Sequence, residues 1–172
     1  GNGTVTLANG LLSATIKKSS AQILAITYNN VQATDGYTGS NNAFYWQGSD
    51  QNGSEEIPSN CTYSVVTSPD SNSGNSAEIS LRQTYPDSGA TTNDPVDSDF
   101  HFALFRGATG IYVTEIITRP ASTPDYPSGY PAGTANPYSF TCKLGADVFD
   151  WLSLDALRDN AMPTVGDWGN AT

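Results

Sequence analysis

Hydrophobic and polar residues alternate along much of this sequence, with the period of two that is typical of β-strands with one buried face. The first alternating runs are Thr4–Leu7, Leu12–Ile16 and Ile23–Tyr28. They predict an opening antiparallel meander. Between the first two runs, Asn9-Gly10 predicts a two-residue type I′ hairpin, in which both central residues have positive φ.

The alternation returns in the second half of the chain. Thr62–Thr67 and Ala77–Tyr85 predict two strands joined by a turn or loop over Ser68–Asn75. Phe100–Phe105 and Ile111–Ile117 form the clearest predicted strand pair. A last predicted pair comprises Tyr138–Leu144 and Phe149–Leu154, and only Leu154–Asn160 has a short helical pattern.

Two long segments lack this alternation. Asn29–Asn60 is polar and glycine-rich except for the aromatic cluster Phe44-Tyr45-Trp46, and Pro120–Pro137 contains five prolines. Because this number of prolines is incompatible with a strand, we expect a surface loop over Pro120–Pro137. We predict one all-β domain over residues 1–165, built as an antiparallel β-sandwich, with a short tail at 166–172.

The composition favours the same fold class and an extracellular protein. The 172 residues include 19 Ser, 19 Thr and 14 Asn, which compete with helical backbone hydrogen bonds. Seventeen acidic residues against seven basic ones give a net charge of −10. This charge argues against nucleic-acid binding and against binding to an anionic membrane. No apolar run reaches the roughly 18 residues of a membrane-spanning helix.

The cysteines and sequons extend the extracellular interpretation. Cys61 and Cys142 are too few and too far apart for a structural zinc site. In a secreted chain we expect them to form a disulfide, and two buried thiols are the alternative. Four Asn-x-Ser/Thr sequons are predicted glycosylation sites: Asn2, Asn52, Asn60 and Asn170.

No metal or cofactor is predicted. Asp70, Asp87 and Asp94–Asp99 offer oxygen ligands for a structural Ca²⁺, but their spacing is not that of an EF-hand. Acidic pairs are too common in this chain to select a catalytic couple for glycoside hydrolysis. His101, the single histidine, alternates with Phe100 and Phe102 and is expected to face solvent.

Three collinear segments carry a family resemblance: Phe102–Tyr112, which reads Phe-Ala-Leu-Phe-Arg-Gly-Ala-Thr-Gly-Ile-Tyr, together with Val5–Tyr28 and Phe140–Pro163. The first is similar to a Phe-x-x-Leu-Arg-Gly-x-x-Gly-Phe-Tyr segment, and the last to a Phe-Lys-Leu…Asp-Asp-Arg…Met-Pro stretch. These are segments of the rhamnogalacturonan endolyases, polysaccharide lyase family four. The three segments cover about a third of the chain.

The resemblance implies a galactose-mutarotase-like supersandwich, incomplete in this chain, and β-elimination of the rhamnose–galacturonate backbone of pectin. The family's catalytic lysine and histidine are expected beyond this sequence, so no residue here is assigned as catalytic. Lys143 falls where the family has a basic residue near the substrate and is the first predicted uronate contact. A solvent-facing lysine is the alternative, and Ser139 replaces an arginine of many members.

Further predicted substrate contacts are Arg158, Tyr45 and Trp46. The alternatives are a structural ion pair for Arg158 and a core-capping role for the two aromatic residues, while Arg106 is expected to stabilise its turn. We therefore expect the N-terminal part of a secreted pectin-degrading lyase. Its expected partners are an acidic plant cell-wall polysaccharide and, through exposed strand edges, the rest of a clipped chain or copies of itself. A non-catalytic, carbohydrate-binding or self-assembling extracellular β-domain is the alternative function.

Overall fold

The computed structural model is all-β, as the alternation predicts. Within the described residues, thirteen strands form two antiparallel sheets, packed as a β-sandwich, and a separate two-stranded hairpin. No helix in this part of the chain is long and apolar enough to cross a membrane. The structure describes residues 3–34, 44–49, 55–84, 96–118, 139–145, 148–155 and 157–161. The tail and the proline-rich segment lie outside these ranges.

The first sheet has the strand order β1-β2-β3-β5-β11, and the short strands β4 and β6 pair with β3 and β5. Every pairing in it is antiparallel. Its strands are β1 (Thr4–Ala8), β2 (Leu12–Lys17), β3 (Ile23–Tyr28), β4 (Val31–Gln32), β5 (Phe44–Ser49), β6 (Glu55–Glu56) and β11 (Ser139–Cys142).

The second sheet has the order β10-β9-β8-β7 and contains the strand pair that is clearest in the sequence. A 3₁₀ helix, Pro69–Asn72, lies in the predicted turn between β7 and β8. The strands of this sheet are β7 (Thr62–Thr67), β8 (Ser76–Gln83), β9 (Asp97–Phe105) and β10 (Tyr112–Thr118), and the separate hairpin comprises β12 (Trp151–Asp155) and β13 (Arg158–Ala161).

The core lies between the two sheets. On β9 every second residue is buried, and Phe100, Phe102 and Leu104 point inward while the intervening side chains point outward. The same pattern buries alternate residues of β2. Period-two alternation therefore gives the inner and outer faces of these central strands correctly.

The β1–β2 turn differs from the predicted type I′ hairpin. The last residues that the two strands pair are Ala8 and Ser13, and residues 9–11 connect β1 to β2. The carboxamide oxygen of Asn9 accepts hydrogen bonds from the backbone N–H groups of Leu11 (3.0 Å) and Leu12 (2.9 Å). The Asn9 side chain thus closes the turn together with its backbone N–H, which donates to the Leu12 carbonyl at 3.1 Å. Of the two residues Asn9 and Gly10, only Gly10 has the positive φ that the predicted type I′ turn requires of both.

A tight hairpin occurs instead at Asn29-Asn30. These residues have φ values of +47° and +64°, and the flanking residues Tyr28 and Val31 pair directly. Positive φ at both central residues is the requirement of a type I′ turn. Asparagine tolerates this left-handed region better than other side chains do, so the β3–β4 hairpin forms without glycine.

The prediction for the last strand pair is wrong in its partners. β11 pairs with β5, and β12 pairs with β13. In the segment Leu154–Asn160, which has the short helical pattern, the described residues belong to the β12–β13 hairpin. A single helical turn or two gains too few hydrogen bonds to form on propensity alone, whereas a hairpin pairs the same backbone across strands.

Candidate functional site

The aromatic cluster within the polar segment 29–60 begins strand β5, and successive members point to opposite faces of the first sheet. The Trp46 ring centroid lies 4.5 Å from that of Phe140 and 5.9 Å from that of Phe100, which belongs to the second sheet. Trp46 therefore packs between the sheets. This placement favours the core-capping role for Trp46 over direct contact with a substrate.

Tyr45 lies on the other face of the first sheet. It is only 9% exposed, yet it does not belong to the core cluster. The Lys143 ammonium lies over its ring, 5.3 Å from the centroid, which is within the range of a cation–π contact. Since the Tyr45 ring is buried in this contact, it positions Lys143 and does not present a face for sugar stacking.

The backbone of the Lys143 segment is held by the sheet. β11 is paired with β5 up to Cys142, opposite Phe44. Directly after Lys143, Leu144 forms an isolated antiparallel bridge to Thr34. Because the residues on both sides of Lys143 are paired, its side chain leaves the sheet from a defined position.

Polar side chains share the outer face with Lys143. Ser139 and Thr141 alternate with inward-facing residues on β11, and they pair with Gln47 and Tyr45. Two hydroxyl groups and an amide thus lie along the same strip of sheet as the ammonium. A hydrogen-bonding strip with one oriented positive charge has the chemistry to bind a sugar carboxylate and its neighbouring hydroxyls.

Two arginines, one in the second sheet and one in the turn after β9, are engaged in structural contacts. The Arg82 guanidinium forms an ion pair with Asp97 at 2.8 Å. The Arg106 guanidinium donates hydrogen bonds to the backbone carbonyls of Ser73 and Gly74. Arg106 therefore has a structural role, but it holds the turn before β8, where Ser73 and Gly74 lie, and not its own turn as predicted.

His101 lies on the outer face of the second sheet, as the alternation predicts. Its Nδ1 is 2.7 Å from Glu78 Oε1, and its Nε2 is 3.4 Å from Asp99 Oδ1. The Ser80 hydroxyl donates to that same Asp99 oxygen at 2.5 Å. His101 and Lys143 therefore lie on the outer faces of different sheets, which prevents them from acting together on one bond.

The structure describes the remaining predicted site residues only in part. Arg158 pairs with Asp155 in the β12–β13 hairpin, and its side chain lies outside the described part. The sequon residue Asn60 is exposed. Across the described ranges, no three His, Cys, Asp or Glu side chains are grouped to hold a metal ion. Outside these ranges lie Asn2, Asn52, Asn170, Asp87 and Asp94.

The predicted disulfide between Cys61 and Cys142 is not formed in the structure. Cys61 is 4% exposed within the core cluster, whereas Cys142 is exposed at the end of β11. The two thiols therefore occupy different environments. Partial burial of the sulfur raises the pKa of the Cys142 thiol.

We expect the two thiols to react at different rates. In the native protein a thiol reagent should modify Cys142, and it should reach Cys61 only after unfolding, as mass spectrometry would show. Because the pKa of Cys142 is raised, less of it is thiolate at neutral pH. The rate of its modification should rise about tenfold per pH unit, and this rise should continue beyond the pH at which an ordinary thiol is already fully ionised. If neither cysteine reacts in the native or the unfolded protein, and the intact mass is lower by two hydrogens, the two cysteines form a disulfide and this prediction is wrong.

Comparison with known proteins gives a family match. The model of the Rhamnogalacturonate lyase family matches residues 2–171. No curated protein and no solved structure matches. The family match extends over both sheets and over the Lys143 strip of the first sheet. The chain belongs to the Rhamnogalacturonate lyase family.

Proposed function

We propose that this chain is the N-terminal, substrate-binding part of a secreted lyase that cleaves the rhamnose–galacturonate backbone of pectin by β-elimination. Family membership supports a lyase-like protein of pectin degradation. The observation that supports substrate binding is the placement of the Lys143 ammonium over Tyr45, among hydroxyl and amide side chains on an outer sheet face.

The chemistry of elimination explains the need for a cation. A base removes the C5 proton of galacturonate, the electrons form the C4–C5 double bond, and the C4–O bond breaks with protonation of the leaving oxygen. The C5 proton lies next to a carboxylate, so its removal adds negative charge to a group that is already anionic. A cation on the carboxylate lowers that cost. Lys143 is the residue proposed to supply it.

The contact with Tyr45 prepares Lys143 for this role. A free lysine loses up to about 2 kcal/mol of side-chain entropy when it is immobilised. Part of that cost has been met before the sugar binds, because the Lys143 stem and ammonium already lie against the ring. Preorganisation of this kind strengthens binding without a new contact.

Overall charge makes such a local contact necessary. The chain carries a net charge of −10, which repels an anionic polymer. At physiological ionic strength this repulsion is screened beyond about 8 Å. A cation that touches the uronate directly is screened far less, and for this reason we propose a direct contact with Lys143. We assign proton removal to residues other than Lys143 and His101.

Replacing Lys143 with alanine is expected to weaken binding of a rhamnogalacturonan oligosaccharide about tenfold to hundredfold, the range for losing one hydrogen bond to a charged group. Lys143→Arg should retain most of the affinity because it keeps the charge. Isothermal titration calorimetry measures both. Lys18→Ala is the matched control, because the Lys18 ammonium also lies over a tyrosine ring, that of Tyr63, at 4.2 Å.

Two results would contradict the assignment. Equal affinity of wild-type and Lys143→Ala proteins, with unchanged circular dichroism, would leave Lys143 as a solvent-facing lysine. An equal loss in Lys18→Ala would show that net charge controls binding and that the strip on the first sheet has no special part in it.

Non-catalytic carbohydrate binding is the second candidate. The separation of Lys143 and His101 onto different outer faces favours it, since the described residues then bind sugar without a lysine–histidine pair. The intact mass of native material distinguishes the two. A companion polypeptide that contains a lysine and a histidine would support the lyase, and a homogeneous 172-residue species that binds polysaccharide would support the binding domain.

A further inference from the structure

The outer face of the second sheet carries an exposed aromatic pair. Phe105 ends β9 and Tyr112 begins β10, and these residues are 46% and 62% exposed. Their ring centroids are 5.4 Å apart and their planes meet at 88°. Two large rings set at right angles form an apolar corner on the protein surface. Such exposed apolar patches commonly mark binding surfaces.

Because Ala103 carries only a methyl group among larger side chains, we expect a shallow recess beside this corner. The neighbours of Ala103 along β9 on the same face are His101 and Phe105, and directly across lie Glu78 on β8 and Tyr112 on β10. Adjacent strands are about 4.8 Å apart, so the backbones of Glu78 and Tyr112 are separated by about 10 Å with only a methyl group between them. The recess has aromatic rings on two sides and hydrogen-bonding side chains on the other two.

We propose that this recess binds a neutral sugar residue of a polysaccharide; the inference rests on the proposed function in that the protein acts on such a polymer. The C–H face of a pyranose packs against an aromatic ring, as other apolar surfaces do. Its hydroxyl groups donate to a carboxylate, and the carboxylate of Glu78 has acceptor positions beyond its one contact with His101. The Ala103 recess places both kinds of group around a space of suitable width.

The charge of the face selects against a uronate. Glu78, Asp97 and Asp99 all lie on it, and Arg82, the arginine described there, is already paired with Asp97. The imidazole of His101 lies between Glu78 and Asp99. A sugar carboxylate would be repelled, while a neutral sugar supplies hydroxyl donors that carboxylates bind well. The recess therefore complements the first sheet, whose outer face carries the ammonium.

Calorimetric titration with a neutral galactan oligosaccharide and with an oligogalacturonate of equal length tests the proposal on the full chain. Wild-type protein should bind galactan in preference to oligogalacturonate at this face. Tyr112→Ala should weaken galactan binding about tenfold, the loss of one stacked ring. Ala103→Leu should abolish it, because leucine fills the recess and leaves the rings in place. Trp151→Ala, which removes a 58% exposed ring from the β12–β13 hairpin, is the control and should bind galactan normally.

The outcomes separate this inference from the proposed function. Lys143→Ala should keep its galactan affinity. If wild-type protein binds rhamnogalacturonan but not galactan, or if Tyr112→Ala and Ala103→Leu bind galactan normally, the recess is not a sugar site and the role of Lys143 stands. Binding of oligogalacturonate that depends on Tyr112 would overturn the preference for a neutral sugar. A dimer that depends on Tyr112 in sedimentation, without galactan binding, would make this face a contact between copies and overturn the proposal.

Discussion

Replacing Phe102 with alanine is expected to lower the free energy of unfolding by about 3–5 kcal/mol. Phe102 is fully buried at the centre of β9, and β9 is paired on both sides, with β8 and with β10. Ladders on both sides limit how far the neighbouring backbone can move into the space left by the ring, so most of the cavity should persist. Single domains are stable by only about 5–15 kcal/mol, so this one change removes a large part of the total.

Urea denaturation followed by tryptophan fluorescence and by circular dichroism measures this loss. Phe105→Ala is the matched control, because Phe105 lies on the same strand but points outward and is 46% exposed. We expect it to cost less than about 1 kcal/mol. Equal losses in the two variants would show that Phe102 and Phe105 do not lie on the inner and outer faces of β9, respectively.

Asn9→Ala is expected to cost about 2–4 kcal/mol. The Asn9 side chain closes its own turn through two accepted hydrogen bonds, and its Nδ2 donates to the backbone carbonyls of Phe105 (2.9 Å) and Ala108 (2.8 Å). One side chain thus joins the β1–β2 turn of the first sheet to the β9–β10 turn of the second. Each hydrogen bond is worth about 0.5–1.5 kcal/mol, and the two carbonyls would lose their donor.

Asn9→Asp separates the two halves of this effect. Aspartate keeps the oxygen that accepts from Leu11 and Leu12 but loses the N–H donors to the second sheet. We expect it to preserve the turn and still to destabilise the protein, because a carboxylate then faces two carbonyl oxygens. Thermal and urea unfolding report the stability. An Asn9→Ala protein within about 0.5 kcal/mol of wild type would mean that the connection between the sheets contributes nothing.

The contribution of Asn9 shows where sequence reasoning stops. Alternation along β9 predicted which residues face the core, because the polarity of each residue in a strand depends on the side of the sheet that it faces. The partners of Asn9 lie 96 and 99 residues away, and a hydrogen bond over that separation leaves no local pattern. Asn9-Gly10 therefore predicted a turn closed by the backbone alone, while in the structure the asparagine side chain closes it as well.

The candidate site was predictable to a similar extent. A resemblance in the segment after Phe140 singled out Lys143, but its contact with Tyr45 depends on the pairing of β11 with β5, which is distant in sequence. Tyr45 and Trp46 were grouped because both are aromatic and stand in polar surroundings. They are neighbours on β5, so their side chains point to opposite faces of the sheet. Only Trp46 packs against the core.

Formation of unsaturated uronate from rhamnogalacturonan by the 172-residue chain tests most directly the claim that Lys143 binds the uronate and is not the base. We predict that the chain binds the polymer and that absorbance from unsaturated product does not rise above that of substrate alone. Steady release of product that is lost in both Lys143→Ala and Lys143→Arg would contradict this, because arginine keeps the positive charge but cannot accept the proton.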